Sequence, residues 1–588
     1  MSTHLWDVFL LLSIYLALAA ACFGWGRMTA DLLGIGGQEV RMVTASVWLG
    51  WAAILFIFQV AHLLLPMTVY VAAPIFVFGM VFAAPAMVSA CRRRSFQSSA
   101  GTILSFAVLI VLGLAVTYWV ASRAMLHPEN YDSGLYHFNS IRWINSFAIV
   151  PGLGNLHGRL AFNQSFFTYV AALNLHPFFG HGRVVANSFL FLLTFATCID
   201  LLRPMIRRPR LLLEAHAFRY ALPLFILPIL AYLALSSTGI ASPTPDLASI
   251  LLQLVIFMFF ANSLCAWREE PVPSHYYAIF LIILSATAIK VKLSNIAFAV
   301  TVIAFVLASR CSLPVACVRS VVRSLAPAVL ILVVWCLRGY LLSGAPLYPS
   351  TVGYIPFDWA VPRESMTVEA RWVYSWARMP GGNPDEILGN WRWLAPWFER
   401  ITKNIVEVTY PIVVAAVYLC AGMSMLFFRR RGGFEKLDLV VLLPPIAGLA
   451  FWFFTAPSPR FAIAVLLTMP IAAGVVLLEI VRKQSEFKTY LTVLTAMLVI
   501  GNAGYAWYFA GASRNFLYVS TSGVVGIQQV PLARNVTAQG LNVYSPMLND
   551  QCWDAPLPCT PYDPEKVRLR DPARGGMAGF IWSGTAQK

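Results

Sequence analysis

The stretch TILSFAVLIVLGLAVTYWV, residues 102–120, is apolar from end to end and carries no charged side chain. A run of about 20 such residues matches the hydrocarbon thickness of a bilayer. Similar runs recur along the chain, and the sequence therefore predicts an all-α polytopic membrane protein. We predict about 14 spans, at 8–24, 42–64, 67–90, 102–120, 183–202, 217–236, 247–265, 276–289, 293–309, 325–341, 409–428, 438–455, 462–481 and 490–510.

The composition of the whole chain supports this prediction. Hydrophobic residues make up 59% of the 588 residues and charged residues 12%, a ratio that a soluble protein could not bury. The net charge of +16 does not indicate nucleic-acid binding, because the basic residues fall in short clusters between apolar runs. We expect the lipid bilayer, and no nucleic acid, as a partner.

Lys and Arg residues in alternate short loops set the predicted orientation. Clusters such as 92–94, 207–210 and 429–436 fall on one side, which the positive-inside bias assigns to the cytoplasm. Both termini then face the periplasmic or extracellular side of the cell (inner) membrane. The predicted division is 1–120, 183–342 and 409–510 as membrane helices, with 121–182, 343–408 and 511–588 as outer segments.

The C-terminal outer segment holds two cysteines in the stretch QCWDAPLPC, residues 551–559. An oxidising compartment favours a Cys552–Cys559 disulfide that closes a small proline-rich loop. A metal site is the weaker alternative, because this segment contains no His.

Asp132 is the leading candidate for chemistry, in the polar and aromatic first outer segment. A carboxylate just above the membrane could act as a general base and take a proton from an acceptor hydroxyl. Glu129 and His137 are nearby alternatives for this role. Asp132 could equally be the N-cap of a helix predicted from about 135 to 144, and both interpretations remain open.

Four isolated cations lie at the predicted outer ends of spans, against the positive-inside bias: Lys290, Lys292, Arg338 and Arg460. Charges at that depth usually mark function, and together they could form a pocket for a lipid phosphate. The alternative is that each side chain snorkels to the membrane surface.

Three further residues have two interpretations each. Arg159 and His157 could meet an anionic ligand, or they could be solvated loop residues. Asp246 is predicted to N-cap a helix, with a metal or acceptor role as the alternative. No His, Cys and Asp cluster has metal-ligand spacing, so we predict no cofactor, although a divalent metal remains possible.

The second outer segment is rich in tryptophan. Such residues are typical of an interfacial belt, and they could equally stack against sugar rings. The sequence does not choose between the two for Trp359, Trp372, Trp376, Trp391, Trp393 and Trp397.

Five stretches together form a recognisable pattern: NYDSGLYHFNSIRWIN, PGLGNLHGRLAFN, RGYLLSGAPLYPS, SPRFA and QCWDAPLPCTP. On these stretches the chain resembles the GT-C superfamily of polytopic membrane glycosyltransferases. More closely, it resembles a bacterial group of uncharacterised GT-C-like membrane proteins. It departs from the commonest GT-C pattern in having three spans before the one that leads into the Asp132 segment. It also lacks a tight Asp-x-Asp motif.

The resemblance implies an enzyme that transfers a sugar from a polyprenyl-phosphate or diphosphate donor to a glycan or lipid acceptor. Asp132 would be the base, with Glu129 in reserve, and Lys292, Arg338 and Arg460 would contact the donor phosphate. Arg142 and Tyr348 fall within the matching stretches and are further candidate substrate contacts.

Two other functions would suit a polytopic protein with outer cations. A transporter or flippase of a lipid-linked saccharide would move its substrate without covalent change. A glycan polymerase or ligase would differ from a single-sugar transferase in the length of its product.

Overall fold

Helices make up most of the structure. The computed structural model describes residues 2–36, 42–93, 100–207, 217–236, 239–269, 275–310, 316–429, 439–482, 517–538 and 540–583. Its α-helices are α1 (Ser2–Leu32), α2 (Val43–His62), α3 (Val69–Arg93), α4 (Ala100–Ala124), α5 (Phe138–Ser146), α6 (Leu153–Leu156), α7 (Phe166–Ala172), α8 (Gly182–Arg207), α9 (Ala217–Ser236), α10 (Pro245–Glu269), α11 (His275–Val291), α12 (Ile296–Arg310), α13 (Ala316–Ser343), α14 (Arg363–Arg378), α15 (Pro384–Ile387), α16 (Leu394–Thr402), α17 (Tyr410–Arg429), α18 (Leu443–Phe454) and α19 (Ile463–Arg482).

Of the described helices, seven are long and apolar enough to cross a membrane: Thr3–Leu32, Val43–His62, Ala107–Ala124, Gly182–Arg203, Pro245–Leu264, Val321–Ser343 and Ile405–Phe427. Shorter apolar helices account for the other predicted spans except 490–510, which lies outside the described residues. Residues 94, 208–210 and 430–436 of the predicted basic clusters also lie outside them. The helical, membrane-type architecture is confirmed, and the count of 14 spans stays a prediction.

The core is built around α10. Nearly every residue of the apolar stretch Pro245–Leu264 is buried, and this stretch packs against α8, α9, α11 and α19. A helix that is apolar all round is stable only when other helices surround it. By contrast, few residues of the stretch Ile405–Phe427 are buried, which suits a helix whose surface faces lipid.

The first long segment, residues 121–182, is more ordered than a loop. A π-helix, Ser133–His137, runs directly into α5, so the helix predicted from about 135 to 144 begins and ends two residues further out. A 3₁₀ turn, Gly158–Ala161, connects α6 towards α7. The second long segment, residues 343–408, holds α14, α15, α16 and a second π-helix, Ile405–Thr409.

The C-terminal part contains two small antiparallel β-hairpins. Strand β1 (Leu532–Val536) pairs with β2 (Asn542–Pro546), and β3 (Val567–Leu569) pairs with β4 (Phe580–Trp582). Between the hairpins, Cys552 and Cys559 form a disulfide.

The C-terminal part packs on the first long segment through main-chain hydrogen bonds. The Phe580 N–H donates to the Pro151 carbonyl at 3.0 Å, and the Trp553 N–H donates to the Gly134 carbonyl at 2.7 Å. Gly152 has a φ of +66°, and a Cβ there would lie 2.1 Å from the Phe580 carbonyl oxygen. Position 152 therefore requires glycine for this close packing.

Candidate active site

Asp132 pairs with two guanidinium groups. Its Oδ2 accepts a hydrogen bond from Arg460 Nη1 at 3.1 Å, and its Oδ1 lies 3.6 Å from Arg159 Nη1. The carboxylate is largely buried, with 12% of the side chain exposed. Asp132 stands at the N-cap position of the π-helix but makes no side-chain capping hydrogen bond. The N-cap interpretation therefore does not explain this residue.

Arg159 joins Asp132 to a second carboxylate. Its Nε lies 3.7 Å from Oε1 of Glu369, which belongs to α14. Burial would lower the pKa of Arg159, but Glu369, Tyr562 and Asp132 together raise it above its usual value. Burial raises the pKa of Glu369, and Arg159 opposes that rise. One cation is thus shared by acidic residues from the two long segments.

Asp246 forms an ion pair with Lys292. The predicted N-cap role of Asp246 is wrong, because α10 begins at Pro245 and Asp246 lies inside its first turn. Thr244 precedes the helix, and its hydroxyl accepts from the Asp246 N–H at 3.2 Å. Lys292 Nζ lies 4.5 Å from the centre of the Phe461 ring, and Arg460 Cζ lies 4.7 Å from the same centre. The Asp246–Lys292 pair and the Asp132–Arg460 pair therefore lie next to each other, since the cation of each contacts the Phe461 ring.

These contacts define a charged cluster, which consists of Asp132, Arg159, Asp246, Lys292, Glu369 and Arg460. Arg460 links the group of Asp132, Arg159 and Glu369 to the pair of Asp246 and Lys292. Burial would lower the pKa of Arg460, but Asp132 and then Asp246 raise it above its usual value. Arg460 therefore stays charged, with 46% of its side chain exposed.

Lys290 and Arg338 lie outside the charged cluster. Lys290 is fully buried and faces the Phe56 ring at 5.9 Å, and within the described residues its Nζ has no hydrogen-bond partner. Arg338 is buried beside His62, with Nη1 2.5 Å from Nδ1 of that ring. Lys290 belongs to the last turn of α11, whereas Lys292 follows the helix in extended conformation. Because the backbone changes from helical at Lys290 to extended at Lys292, the two side chains lie in different surroundings.

The two alternative bases differ from Asp132 in their surroundings. Burial lowers the pKa of His137 to about 4 despite the nearby carboxylates of Asp132 and Asp246, so the ring is neutral at pH 7. Its Nδ1 lies 3.3 Å from Ser133 Oγ. Glu129 is exposed and accepts a hydrogen bond from the Tyr518 hydroxyl at 3.2 Å. Neither has the paired guanidinium groups that surround Asp132.

Arg142 and Tyr348 have different positions relative to the charged cluster. Arg142 Nη1 donates to the Asp554 carbonyl at 2.8 Å and lies 3.1 Å from its carboxylate, so Arg142 holds the C-terminal part. Tyr348 is buried next to Gly158, where a Cβ would lie 2.9 Å from Tyr348 Oη and 3.3 Å from Glu369 Oε2. Tyr348 therefore lies at the Glu369 edge of the cluster.

His157 borders the same edge. Burial, followed by the neighbouring Arg159, lowers the pKa of His157 to about 3, and its ring lies 4.7 Å from that of Tyr562. The neutral ring is thus a packing partner and not a cation for an anionic ligand.

The six tryptophans of the second long segment divide into two groups. Trp393 and Trp397 are buried, and Trp359 stacks on Phe357 at 4.6 Å. The three exposed rings are Trp372, Trp376 and Trp391.

Glu369 is the residue of the cluster that the sequence analysis missed. In RESMTVEARWVYSWAR it is one charged residue among several on a surface helix. Its spacing from Met366 and Val373 places it on the buried side of α14, and helical periodicity could have singled it out.

In the part of the chain that the structure describes, no group of three or more His, Cys, Asp or Glu side chains could hold a metal ion. The carboxylates of the charged cluster are paired with Arg and Lys instead.

A comparison with protein families matches residues 8–467 to a domain of unknown function, DUF8201. The chain belongs to this family. The matched residues include the whole charged cluster, whereas the C-terminal hairpins and the disulfide lie beyond them. No curated protein and no solved structure matches the chain.

Proposed function

We propose that the protein is a GT-C-type membrane glycosyltransferase. It transfers a sugar from a polyprenyl-phosphate or diphosphate donor to a glycan or lipid acceptor on the outer face of the cell membrane, in cell-surface glycan assembly. The observation that supports this most is the buried carboxylate of Asp132 between Arg159 and Arg460, with Lys292 one aromatic ring away. This arrangement combines a proton acceptor with cations suited to a phosphate.

Arg460 and Lys292 are proposed to hold the donor phosphate. Both lie against the Phe461 ring, so one anion between them can contact both. The partly exposed guanidinium of Arg460 can bind phosphate in a bidentate manner, while Lys292 contributes a point charge. A phosphate at this place competes with Asp132 for Arg460 and leaves the carboxylate free for the acceptor.

Asp132 then takes the proton of an acceptor hydroxyl. The acceptor oxygen forms a bond to the anomeric carbon while the bond from that carbon to the donor phosphate oxygen breaks. The lipid phosphate leaves as an anion, which the cations stabilise, so no strong general acid is needed. The protonated Asp132 returns its proton to water after the product leaves.

The proposed orientation follows from the loop charges. With the basic short loops in the cytoplasm, the charged cluster and both termini face outward, in the cell (inner) membrane. A polyprenyl-linked sugar in the outer leaflet then presents its phosphate at the depth of Arg460.

The test compares surface glycans, by mass spectrometry, in cells that lack the protein and carry wild type, Asp132→Asn or Asp385→Asn. Asp385 is a matched control, because its side chain is 80% exposed and outside the cluster. At equal membrane levels, wild type and the control should restore a defined sugar, and Asp132→Asn should not. Restoration by Asp132→Asn would remove this residue as the base. Movement of a lipid-linked saccharide without covalent change, in reconstituted vesicles, would favour transport instead.

A further inference from the structure

Helix α14 carries an exposed apolar stripe. Val368, Trp372 and Trp376 are spaced four residues apart, so they follow one side of the helix, and each is at least 50% exposed. The adjoining side carries the exposed Thr367 and the partly exposed Arg371. Three large apolar side chains in one line leave a surface that water solvates poorly.

Helix α16 and the turn before it carry a second stripe. Trp391, Leu394 and Phe398 are spaced three and four residues apart, and Trp391 and Phe398 are each 61% exposed. Glu399 and Lys403 form an exposed ion pair beside this stripe. Both helices therefore divide their exposed surface into an apolar and a polar side.

Contacts with α18 set the depth of both helices. Arg378, at the end of α14, donates to the carbonyls of Phe454 and Thr455 at 3.1 and 2.8 Å. Trp391 stacks on Phe453 with ring centres 6.3 Å apart. These contacts are all made at the C-terminal end of α18, an apolar helix. The stripes thus lie level with the end of a membrane-type helix.

The second stripe also continues into a lipid-facing surface. After α16, the π-helix Ile405–Thr409 leads directly into α17. The stretch Ile405–Phe427 is long and apolar enough to span a membrane, and few of its residues are buried. Exposed Ile405 and Ile412 continue the apolar surface from α16 into this helix.

We propose that residues 363–404 lie along the bilayer surface, with the apolar stripes of α14 and α16 inserted at the lipid headgroup level. Tryptophan prefers this region, and an amphipathic helix lies in its plane with the apolar side towards the acyl chains. The inference does not depend on the proposed enzymatic activity.

Helix α14 also connects the apolar stripe to the charged cluster. The same α14 helix carries Glu369, which contacts Arg159, and Arg159 contacts Asp132. Insertion of the α14 stripe therefore holds the cluster at a fixed height above the lipid.

The test places single cysteines in the full chain and attaches a spin label, in nanodiscs of phosphatidylcholine and phosphatidylglycerol. The pairs are Val368→Cys with Thr367→Cys and Phe398→Cys with Glu399→Cys, each pair adjacent in sequence but on opposite sides of the stripe edge. Labelled wild type gives the background from native cysteines. The accessibility to oxygen relative to a water-soluble nickel chelate should be several-fold higher at 368 and 398 than at their neighbours.

Two outcomes would overturn the proposal. Equal, high accessibility to the nickel chelate within each pair would mean that the stripes face water, as a sugar-stacking surface would. Protection of 368 and 398 from both reagents, with a dimer in the nanodisc, would mean that a second copy covers them. Alkylation by a membrane-impermeant maleimide provides a second measurement on the same variants.

Discussion

Arg460 Nη1 lies 3.1 Å from Asp132 Oδ2, which joins two residues 328 positions apart in the chain. Asp132 directly precedes the π-helix of the first long segment, and Arg460 lies just before α19. The pair can form only where these two helix starts meet at the same end of the bundle. It brings a buried carboxylate next to a cation that remains open to a ligand.

Under the proposed transferase function, Arg460→Ala should lower sugar transfer by roughly 100-fold, because a preorganised hydrogen-bond donor to the proposed leaving phosphate is lost. Arg460→Lys keeps the charge without the bidentate fork, so its loss should be smaller. Glycan yield at matched membrane levels measures both. Equal activity of wild type and Arg460→Ala would show that this cation does not contact the donor.

Arg159→Gln should destabilise the protein by about 2 kcal/mol, because it leaves two buried carboxylates without their shared cation. Glu369→Gln in the same chain should restore part of that loss, since one unpaired charge is then gone. Thermal unfolding in detergent measures the single and double variants, with exposed Glu364→Gln as the control on the same helix. Simple addition of the two single effects would mean that Arg159 and Glu369 are not coupled.

Gly134→Ala should weaken the docking of the disulfide loop. A Cβ at position 134 would lie 2.5 Å from Trp553 Cε2, inside contact distance of a buried ring. The expected loss is about 1–3 kcal/mol, the usual effect of overpacking. Gly180→Ala is the control, because a Cβ there meets no atom within 4 Å.

The loss at Gly134 should be smaller in a Trp553→Ala background, where the clash is absent. The unfolding temperatures of the four proteins in this cycle measure the coupling. If Gly134→Ala destabilises the Trp553→Ala protein as much as wild type, the destabilisation does not come from a clash with the Trp553 indole.

Acidification should destabilise the first long segment through His137. Its pKa is about 4 in the folded protein and ordinarily 6.5, so between these values the unfolded chain binds a proton that the folded chain does not. Stability is therefore full above pH 6.5 and falls as the pH is lowered to 4, by up to about 3 kcal/mol. Unfolding temperature measured from pH 7 to pH 4 should fall less in His137→Gln than in wild type. Identical pH dependence of the two proteins would contradict this assignment.

Much of the helical architecture follows from local hydropathy. The predicted span 247–265 corresponds to α10, and 217–236 coincides with α9. In an apolar run of this length, a helix satisfies the backbone hydrogen bonds within the segment itself. The short runs such as 276–289 also form helices, but their crossing of the membrane depends on packing and tilt.

The candidate site was only partly predictable. Asp132, Lys292 and Arg460 stood out as charges in unusual places, and the structure brings them close together. Lys290 carried the same signal and is buried elsewhere, while Glu369 carried little signal and belongs to the cluster. A charged residue in an apolar stretch of sequence can be recognised as unusual, but the stretch does not reveal which residue it will contact in the folded protein.

The sequence by itself determined the membrane-type helical class, the polar and aromatic first long segment with its Asp132, and the presence of isolated cations at span ends. Hydrophobicity and backbone hydrogen bonding act within about 20 neighbouring residues, so a linear reading captures them. Only the tertiary structure decided that Asp132 pairs with Arg159 and Arg460, and that Asp246 pairs with Lys292. Ion pairs depend on distances of a few ångströms between chain-distant atoms, and those distances exist only after the helices have packed.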